Sequence, residues 1–370
     1  MKYRHPLKRI LTETRSSWDH GGTRDVVRRV FASAIQCRTA ELGAEVYSSD
    51  GQEFIHYHTC KSRACTSCGN RAGIQWRRER WAALPTQSYH GITFSMPDVL
   101  WPLFRDNPIL AKALPALAAA VIQSQAATRH GLRVGVMAIL HTFNGKLEFN
   151  SHMHTMVTGG GLPNSSEVWV PGILYERDTL MRSWRRAVIA ILRAAVRANH
   201  IVTRIPNRQL EELLSHQEGR WWSINIQSFE DKQHFLKYAG RYTRRPPIAE
   251  HRITLITDRT VTFWYKDKKL HCKVEVQCSK EEFVERWAQH ILDRYTHSVR
   301  SFGLFAPQAV SRTKNAIFAV LGQRRRPRPK SLSWAWLIEH TFRRDPLLDR
   351  FGNRMKWARR ISPRPVRQSA

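Results

Sequence analysis

The sequence predicts an α+β protein in which an antiparallel sheet with flanking helices follows a small cysteine-bearing module and precedes a basic arm. Two apolar-rich runs, Val134–Phe143 and Lys146–Val157, are separated by Asn144-Gly145, the strongest short signal for a β-hairpin. Segments with apolar residues at helical spacing lie on both sides of that hairpin. Three of the six cysteines, Cys60, Cys65 and Cys68, are clustered, a pattern that suggests metal binding rather than crosslinking in a reducing compartment. At 370 residues the chain exceeds one ordinary domain. Boundaries are expected at 1–85 for an N-terminal helical and zinc-binding module, 86–310 for the main domain and 311–370 for the basic arm.

Taken in order, Asp25 to about Leu42 carries Val26, Val27, Val30, Phe31, Ala34 and Ile35 at helical spacing, with Gly43 as the stop. After the cysteines, Ile74–Leu84 reads as a helix that Pro85 ends. Tyr89–Met96 is a strand candidate, and Asp98–His130 is largely helical. Gly159-Gly160-Gly161 closes the second hairpin run. Helices are expected over Asp178–Ala198 and around Phe229–Tyr242, where Pro246-Pro247 prevents continuation, and short strands over Ile253–Leu270. Ser279 and Glu282 form a capping box ahead of the stripe Phe283, Trp287, Ile291, Tyr295. From Gln323 to Ala370 there are 14 lysines and arginines against three acids, so that end is expected to be a basic and partly flexible arm.

Lysine and arginine outnumber aspartate and glutamate by 60 to 30. A surplus of this size needs a polyanion or a strongly acidic surface as its partner, and nucleic acid is the leading candidate. No membrane partner is expected, because no lipid anchor or apolar helix of about 20 residues is visible. Ile109–Val121, interrupted by Lys112 and Pro115, reads as a core helix. Met1–Ser17 lacks the apolar stretch of a secretory signal.

Three constellations could carry chemistry. His152-Met153-His154 lies in a strand, where residues two apart point to the same side, so both imidazoles enter one site while Met153 packs behind them. Tyr238 and Tyr242 stand four apart on a helix, on one face. Lys237, Arg241, Arg244 and Arg245 crowd the same helix end, and cations favour ionisation of a phenol. Cys60, Cys65 and Cys68 need a fourth ligand for tetrahedral zinc, which His58 or His56 would supply. Cys37, Cys272 and Cys278 read as packing residues.

These motifs resemble the rolling-circle transposases of the insertion-sequence-ninety-one family, two-tyrosine members of the HUH endonucleases. The likeness rests on Cys60 to Cys68, Leu140-His141-Thr142-Phe143, His152-Met153-His154 with the glycines at 159 to 161, and Lys237-Tyr238-Ala239-Gly240-Arg241-Tyr242-Thr243-Arg244-Arg245-Pro246. They follow the family's order and approximate spacing from about Val30 to Phe305. Phe283–Leu304 also looks like its closing helix, and Ile92-Thr93-Phe94-Ser95 is similar to the strand beside the HUH strand in replication initiators.

The resemblance implies an HUH-like catalytic domain over 86–310. His152 and His154 would hold a divalent ion, Mg²⁺ or Mn²⁺, with His141 as the family-like third ligand, and Tyr238 and Tyr242 would be the nucleophiles. A tight Asn144-Gly145 turn would instead pair His141 with Glu148, roughly 13 Å along the strand from His152. So either the loop is longer or bulged, or another group is the third ligand. The cysteine cluster would belong to a structural zinc module. Two departures stand out: Tyr47-Ser48-Ser49-Asp50-Gly51 lies where fuller modules carry another cysteine pair, and Asp345–Met355 where some relatives have a C-terminal pair.

The expected activity is nicking and rejoining of single-stranded DNA at the ends of a mobile element through a 5′-phosphotyrosine. Arg324, Arg325 and Arg326 would join Lys237, Arg241, Arg244 and Arg245 in holding the DNA, and Trp221 and Trp222 could stack bases. A bacterial, cytoplasmic, nucleoid-associated protein is expected, as a possible homo-oligomer. Two other readings share parts of the pattern: a zinc-containing DNA-binding regulator without catalysis, and a metal-dependent phosphodiesterase using activated water.

Overall fold

A computed structural model describes residues 5–66, 68–165, 168–240, 243, 246–267, 270–307 and 312–363. They form two compact units, each assembled from separated stretches of chain: 1–75 with 244–293 and 329–370, and 76–243 with 294–328. The boundaries expected at 85/86 and 310/311 run along the chain, whereas these units interleave it.

The second unit is built on a five-stranded antiparallel sheet in the order Val299–Gly303, Gly135–Phe143, Phe149–Thr158, Tyr89–Phe94, Ile224–Phe229. Alternation along these strands sorts their side chains onto two faces. Ile92, Phe94, Val136, Ala138, Leu140, Met153 and Val157 meet the helices Pro108–His130 and Arg177–Arg197 in the larger core. Tyr89, Met137, Ile139 and Met156 meet the short helix Lys232–Ala239 on the opposite face. Pro108–His130 has the length and composition of a membrane span, yet Leu114, Ala118, Ala119 and Ile122 are fully buried in the core.

The hairpin forms, but not with the tight turn its sequence suggests. Phe143 pairs with Phe149 across a five-residue loop. Asn144 Oδ1 accepts from the backbone N–H groups of Lys146 (2.9 Å) and Glu148 (3.1 Å), so this asparagine organises the loop through its side chain. Leu147 takes the left-handed conformation and is fully buried.

In the first unit, the helices Pro6–Glu13, Asp25–Gln36 and Lys280–Ala288 accompany two three-stranded sheets. Trp18, Phe31, Trp287 and Phe283 interlock edge to face at 5.4–6.1 Å between centroids. Ser279 caps the helix Lys280–Ala288 as expected, accepting from Glu282 N at 3.0 Å. That helix ends at Ala288 and leaves Tyr295 exposed, so Phe283–Leu304 is not one closing helix: its last part, Val299–Gly303, is the sheet's edge strand.

The arm is also more structured than its charge suggests. Trp334–Phe342 is helical, and Lys356–Ile361 pairs antiparallel with Ala44–Ser49. The two stretches that lack cysteine pairs meet here: Ser49 Oγ donates to Asp349 (2.8 Å) and Asn353 Nδ2 to Asp50 (3.1 Å).

Candidate active site and cysteine centre

The sheet register decides what the histidines can do. His141 pairs directly with His152, and His154 with Ile139 on one side and Thr93 on the other. The longer loop and the irregularity between His141 and Phe143 supply the slack that a two-residue turn would deny. Hence all three imidazoles share one face of the sheet, with His141 Nδ1 and His152 Nε2 3.1 Å apart and ring centroids 4.8–5.6 Å apart. Each ring offers a nitrogen within 4.8 Å of the others. Met153 lies on the opposite face, in the core, as its position between the two histidines requires.

The spacing fits a metal centre. The three imidazoles lie close enough to share one ion, and His141 and His152 are already within 3.1 Å of each other. His152 Nδ1 donates to Asn150 O at 2.8 Å, which leaves Nε2 for the cluster. His154 Nδ1 lies 3.1 Å from Thr93 Oγ1, which directs its Nε2 the same way.

Tyr238 comes to this face from the helix Lys232–Ala239. Asp231 starts that helix by accepting from His234 N at 2.8 Å, and Gly240 follows its last turn. The Tyr238 ring lies over Gly91 and beside Phe229, and it is 7% exposed. Its hydroxyl is 3.4 Å from Thr93 Oγ1, so one threonine hydroxyl separates the phenol from His154. The ring centroids of Tyr238 and His154 are 6.4 Å apart. Lys237 is exposed on the same helix. Tyr242, Arg241, Arg244 and Arg245 lie outside the described residues.

Glycine at 91 suits this arrangement: a Cβ there would stand 3.0 Å from the Tyr238 ring and 3.1 Å from the Phe229 ring, so each ring would have to give by a few tenths of an ångström. Neither Gly91 nor Thr93 is marked by sequence pattern as more than strand. Only their offset from the histidines, once the register is known, shows their place.

At the helix N-terminus Lys232 is buried and donates to the carbonyls of Trp81 (3.1 Å) and Leu84 (2.8 Å), with its ammonium 4.5 Å from the Trp81 ring. Burial, with a smaller contribution from Arg326, pushes its pKa down to about 8. Arg326 also stacks over Trp81, and Arg324, Arg325 and Arg326 are all exposed. Trp222 is buried in the core, whereas Trp221 is exposed with Arg177 over its ring at 5.8 Å.

The cysteine centre differs from expectation in its fourth member. Cys60, Cys65 and Cys68 converge with Cys37, not with His58. His58 is engaged elsewhere, its Nδ1 3.0 Å from Leu42 O and its Nε2 3.0 Å from Glu45. His56 packs against Tyr47 and Trp334. Cys37, which the sequence offers as a packing residue, follows the helix Asp25–Gln36 and is 1% exposed. The signal missed was arithmetic: three clustered thiols lacked one, and Cys37 lies closest along the chain.

Cys37 Sγ and Cys60 Sγ lie 3.6 and 3.7 Å from Cys68 Sγ. A disulfide would require about 2.05 Å. Tetrahedral zinc with bonds of about 2.3 Å separates its sulfurs by about 3.8 Å, so these thiols stand at the edges of such a tetrahedron. Hydrogen bonds among the four hold the thiols of Cys68 and Cys37 below the usual range and push those of Cys60 and Cys65 above it, so the cluster favours charge on some of its sulfurs and not on all.

A family model described as "Putative transposase" matches residues 135–314, and one described as "Transposase zinc-binding domain" matches residues 8–96. The transposase for insertion sequence element IS801 of Pseudomonas savastanoi pv. phaseolicola is 31% identical over 319 residues, covering 81% of this chain and 76% of that protein. The "Putative transposase y4qJ" of Sinorhizobium fredii is 30% identical over 292 residues, covering 75% of this chain and 73% of its own length. No solved structure matches. The IS801 likeness spans most of both proteins and the zinc-binding match covers the four cysteines, so this chain belongs to the insertion-sequence-ninety-one family of transposases.

Proposed function

We propose that this transposase nicks and rejoins single-stranded DNA at the ends of its element through a covalent 5′-phosphotyrosine, with Tyr238 and Tyr242 as the two nucleophiles. The observation that carries the proposal is the convergence of Tyr238 with His141, His152 and His154 on one face of one sheet. A phenol this close to a three-imidazole cluster fits phosphoryl transfer better than it fits packing.

Held by the three histidines, a divalent ion would polarise the scissile phosphate and offset the charge building on its oxygens. Nitrogen donors favour manganese over magnesium, which prefers oxygen. The phenol oxygen of a tyrosine, its proton lost to water, forms a bond to phosphorus as the bond from phosphorus to the 3′-oxygen breaks. That oxygen leaves as a free 3′-hydroxyl after taking a proton. Because the phosphodiester energy is kept in the tyrosine link, the second tyrosine can act at another junction without ATP.

Lys237 and Arg324, Arg325 and Arg326, exposed as they are, would grip the phosphates together with Arg241, Arg244 and Arg245. Cys37, Cys60, Cys65 and Cys68 would hold a structural zinc that ties the end of the helix Asp25–Gln36 to the loop before Gly69.

The test is the double variant Tyr238→Phe/Tyr242→Phe on a single-stranded element-end oligonucleotide. The wild type should give a protein–DNA adduct on a denaturing gel and the variant none. Persistent cleavage by the variant rejects the nucleophiles. Wild-type cleavage without an adduct points to activated water, and binding without cleavage to a regulator.

A further inference from the structure

We propose that Thr93 is a positioning residue that couples the histidine cluster to the tyrosine nucleophile through a directed pair of hydrogen bonds. The inference rests on the reading of Tyr238 and the histidines given above. Thr93 belongs to the strand Tyr89–Phe94, which runs between the histidine strand and Ile224–Phe229, and it stands directly across from His154. Its Oγ1 lies 3.1 Å from His154 Nδ1 and 3.4 Å from the Tyr238 hydroxyl. The other residues on this side of the strand offer Tyr238 no such group: Tyr89 donates to Pro85 O at 2.7 Å, and Gly91 has no side chain.

The direction of both bonds follows from the chemistry of the imidazole. With Nδ1 turned to Thr93, Nε2 is the His154 nitrogen left for a cation. A cation bound there would take up the Nε2 lone pair, and the ring proton would then sit on Nδ1 and be donated to Thr93 Oγ1. The threonine's single proton is then directed at the Tyr238 oxygen. A donor aimed at that oxygen holds the nucleophile in place and favours the charge it carries as it attacks, when the bond shortens. Threonine suits the task because its branched β-carbon restricts χ1. Loading the histidines would thus also order the phenol.

Two variants of the full-length chain test this. Thr93→Val keeps the shape and removes the hydroxyl, while Thr93→Ser keeps the hydroxyl. Manganese affinity, read by electron paramagnetic resonance without DNA, and the single-turnover rate of adduct formation at saturating oligonucleotide are measured together with DNA affinity. Thr93→Val should weaken manganese binding and slow adduct formation, each by about 10- to 100-fold, as removal of a ligand's orienting partner does. DNA affinity should be unchanged, and Thr93→Ser should restore both properties to within a few-fold. Wild-type manganese binding and adduct rate in Thr93→Val overturn the proposal, as does a folded Thr93→Ser that fails to rescue. The Tyr238→Phe/Tyr242→Phe variant separates the two levels. If it still cleaves, the coupling falls with the nucleophile assignment; if it is inactive while Thr93→Val behaves as wild type, the coupling alone falls.

Discussion

Replacing Cys37 by serine gives the sharpest test of the cysteine centre, because it separates the ligand set in the structure from the one read in the sequence. Zinc held by four protein ligands in small domains is worth about 10–16 kcal/mol, or about 2.5–4 kcal/mol per ligand if shared evenly. At about 1.4 kcal/mol per tenfold, Cys37→Ser should weaken zinc binding by about 10²- to 10³-fold. The effect is not diluted by a poor starting geometry, since Cys37 Sγ already lies 3.6 Å from Cys68 Sγ and accepts from Cys60 N at 3.4 Å. His58→Ala, by contrast, removes contacts to Leu42 O and Glu45 and leaves four sulfurs in place. The assay is zinc release to a chromophoric chelator from purified full-length protein, titrated to give an affinity. Cys37→Ser should release zinc at chelator concentrations that leave the wild type and His58→Ala loaded. A Cys37→Ser protein with wild-type affinity beside a His58→Ala protein that loses its zinc would refute the four-thiolate set.

Gly91→Ala places a methyl group against the rings of Tyr238 and Phe229, which must shift by a few tenths of an ångström. About 1–3 kcal/mol of overpacking is expected, with adduct formation slowed about tenfold or more while manganese binding is retained; an unchanged rate would show that the phenol's seat on the strand does not matter. Lys232 has a folded-state pKa of about 8, below the unfolded value of about 10.4, so the folded chain sheds this proton first. The burden of a buried ammonium is therefore present below pH 8 and relieved as pH rises from about 8 to about 10.4. Chemical denaturation of Lys232→Met against wild type should show the wild type gaining relative stability across that window, and a pH-independent difference would contradict the burial argument.

What the sequence reveals and what it hides divide along physical lines. Apolar runs announced the central strands, and the period of two in His152-Met153-His154 was enough to put both imidazoles on one face and Met153 in the core. Lys356–Ile361 was hidden, because an exposed edge strand is held by backbone hydrogen bonds to Ala44–Ser49 and its side chains, rich in arginine, carry no alternation. Val299–Gly303 was absorbed into the closing helix that the family resemblance implied over Phe283–Leu304, while the four-residue rhythm of Phe283, Trp287, Ile291 and Tyr295 runs on past Ala288, where the helix ends. Thr93 and Cys37 share a different obstacle. Each is an ordinary residue of its element, a strand threonine and a buried cysteine, and its significance comes from what stands across from it.

The position of His141 depends on five residues of loop, and this can be tested directly. Sequence pattern favours a two-residue turn at Asn144-Gly145, which would carry His141 away from His152. The chain instead spends Asn144 Oδ1 on two backbone N–H groups, adds a side-chain bond from Nδ2 to Glu148 at 2.8 Å, and buries Leu147 under the loop. Asn144→Ala leaves those two N–H groups to water and removes the side-chain bond, at a cost of about 1–3 kcal/mol. Leu147 and the ladder from Val136 to His152 still favour the native register, so the strands should stay paired while the loop loosens. Manganese affinity should fall about tenfold through His141 alone, and DNA affinity should hold. An Asn144→Ala protein with wild-type manganese affinity would mean that the strand pairing, not the loop, sets the third imidazole.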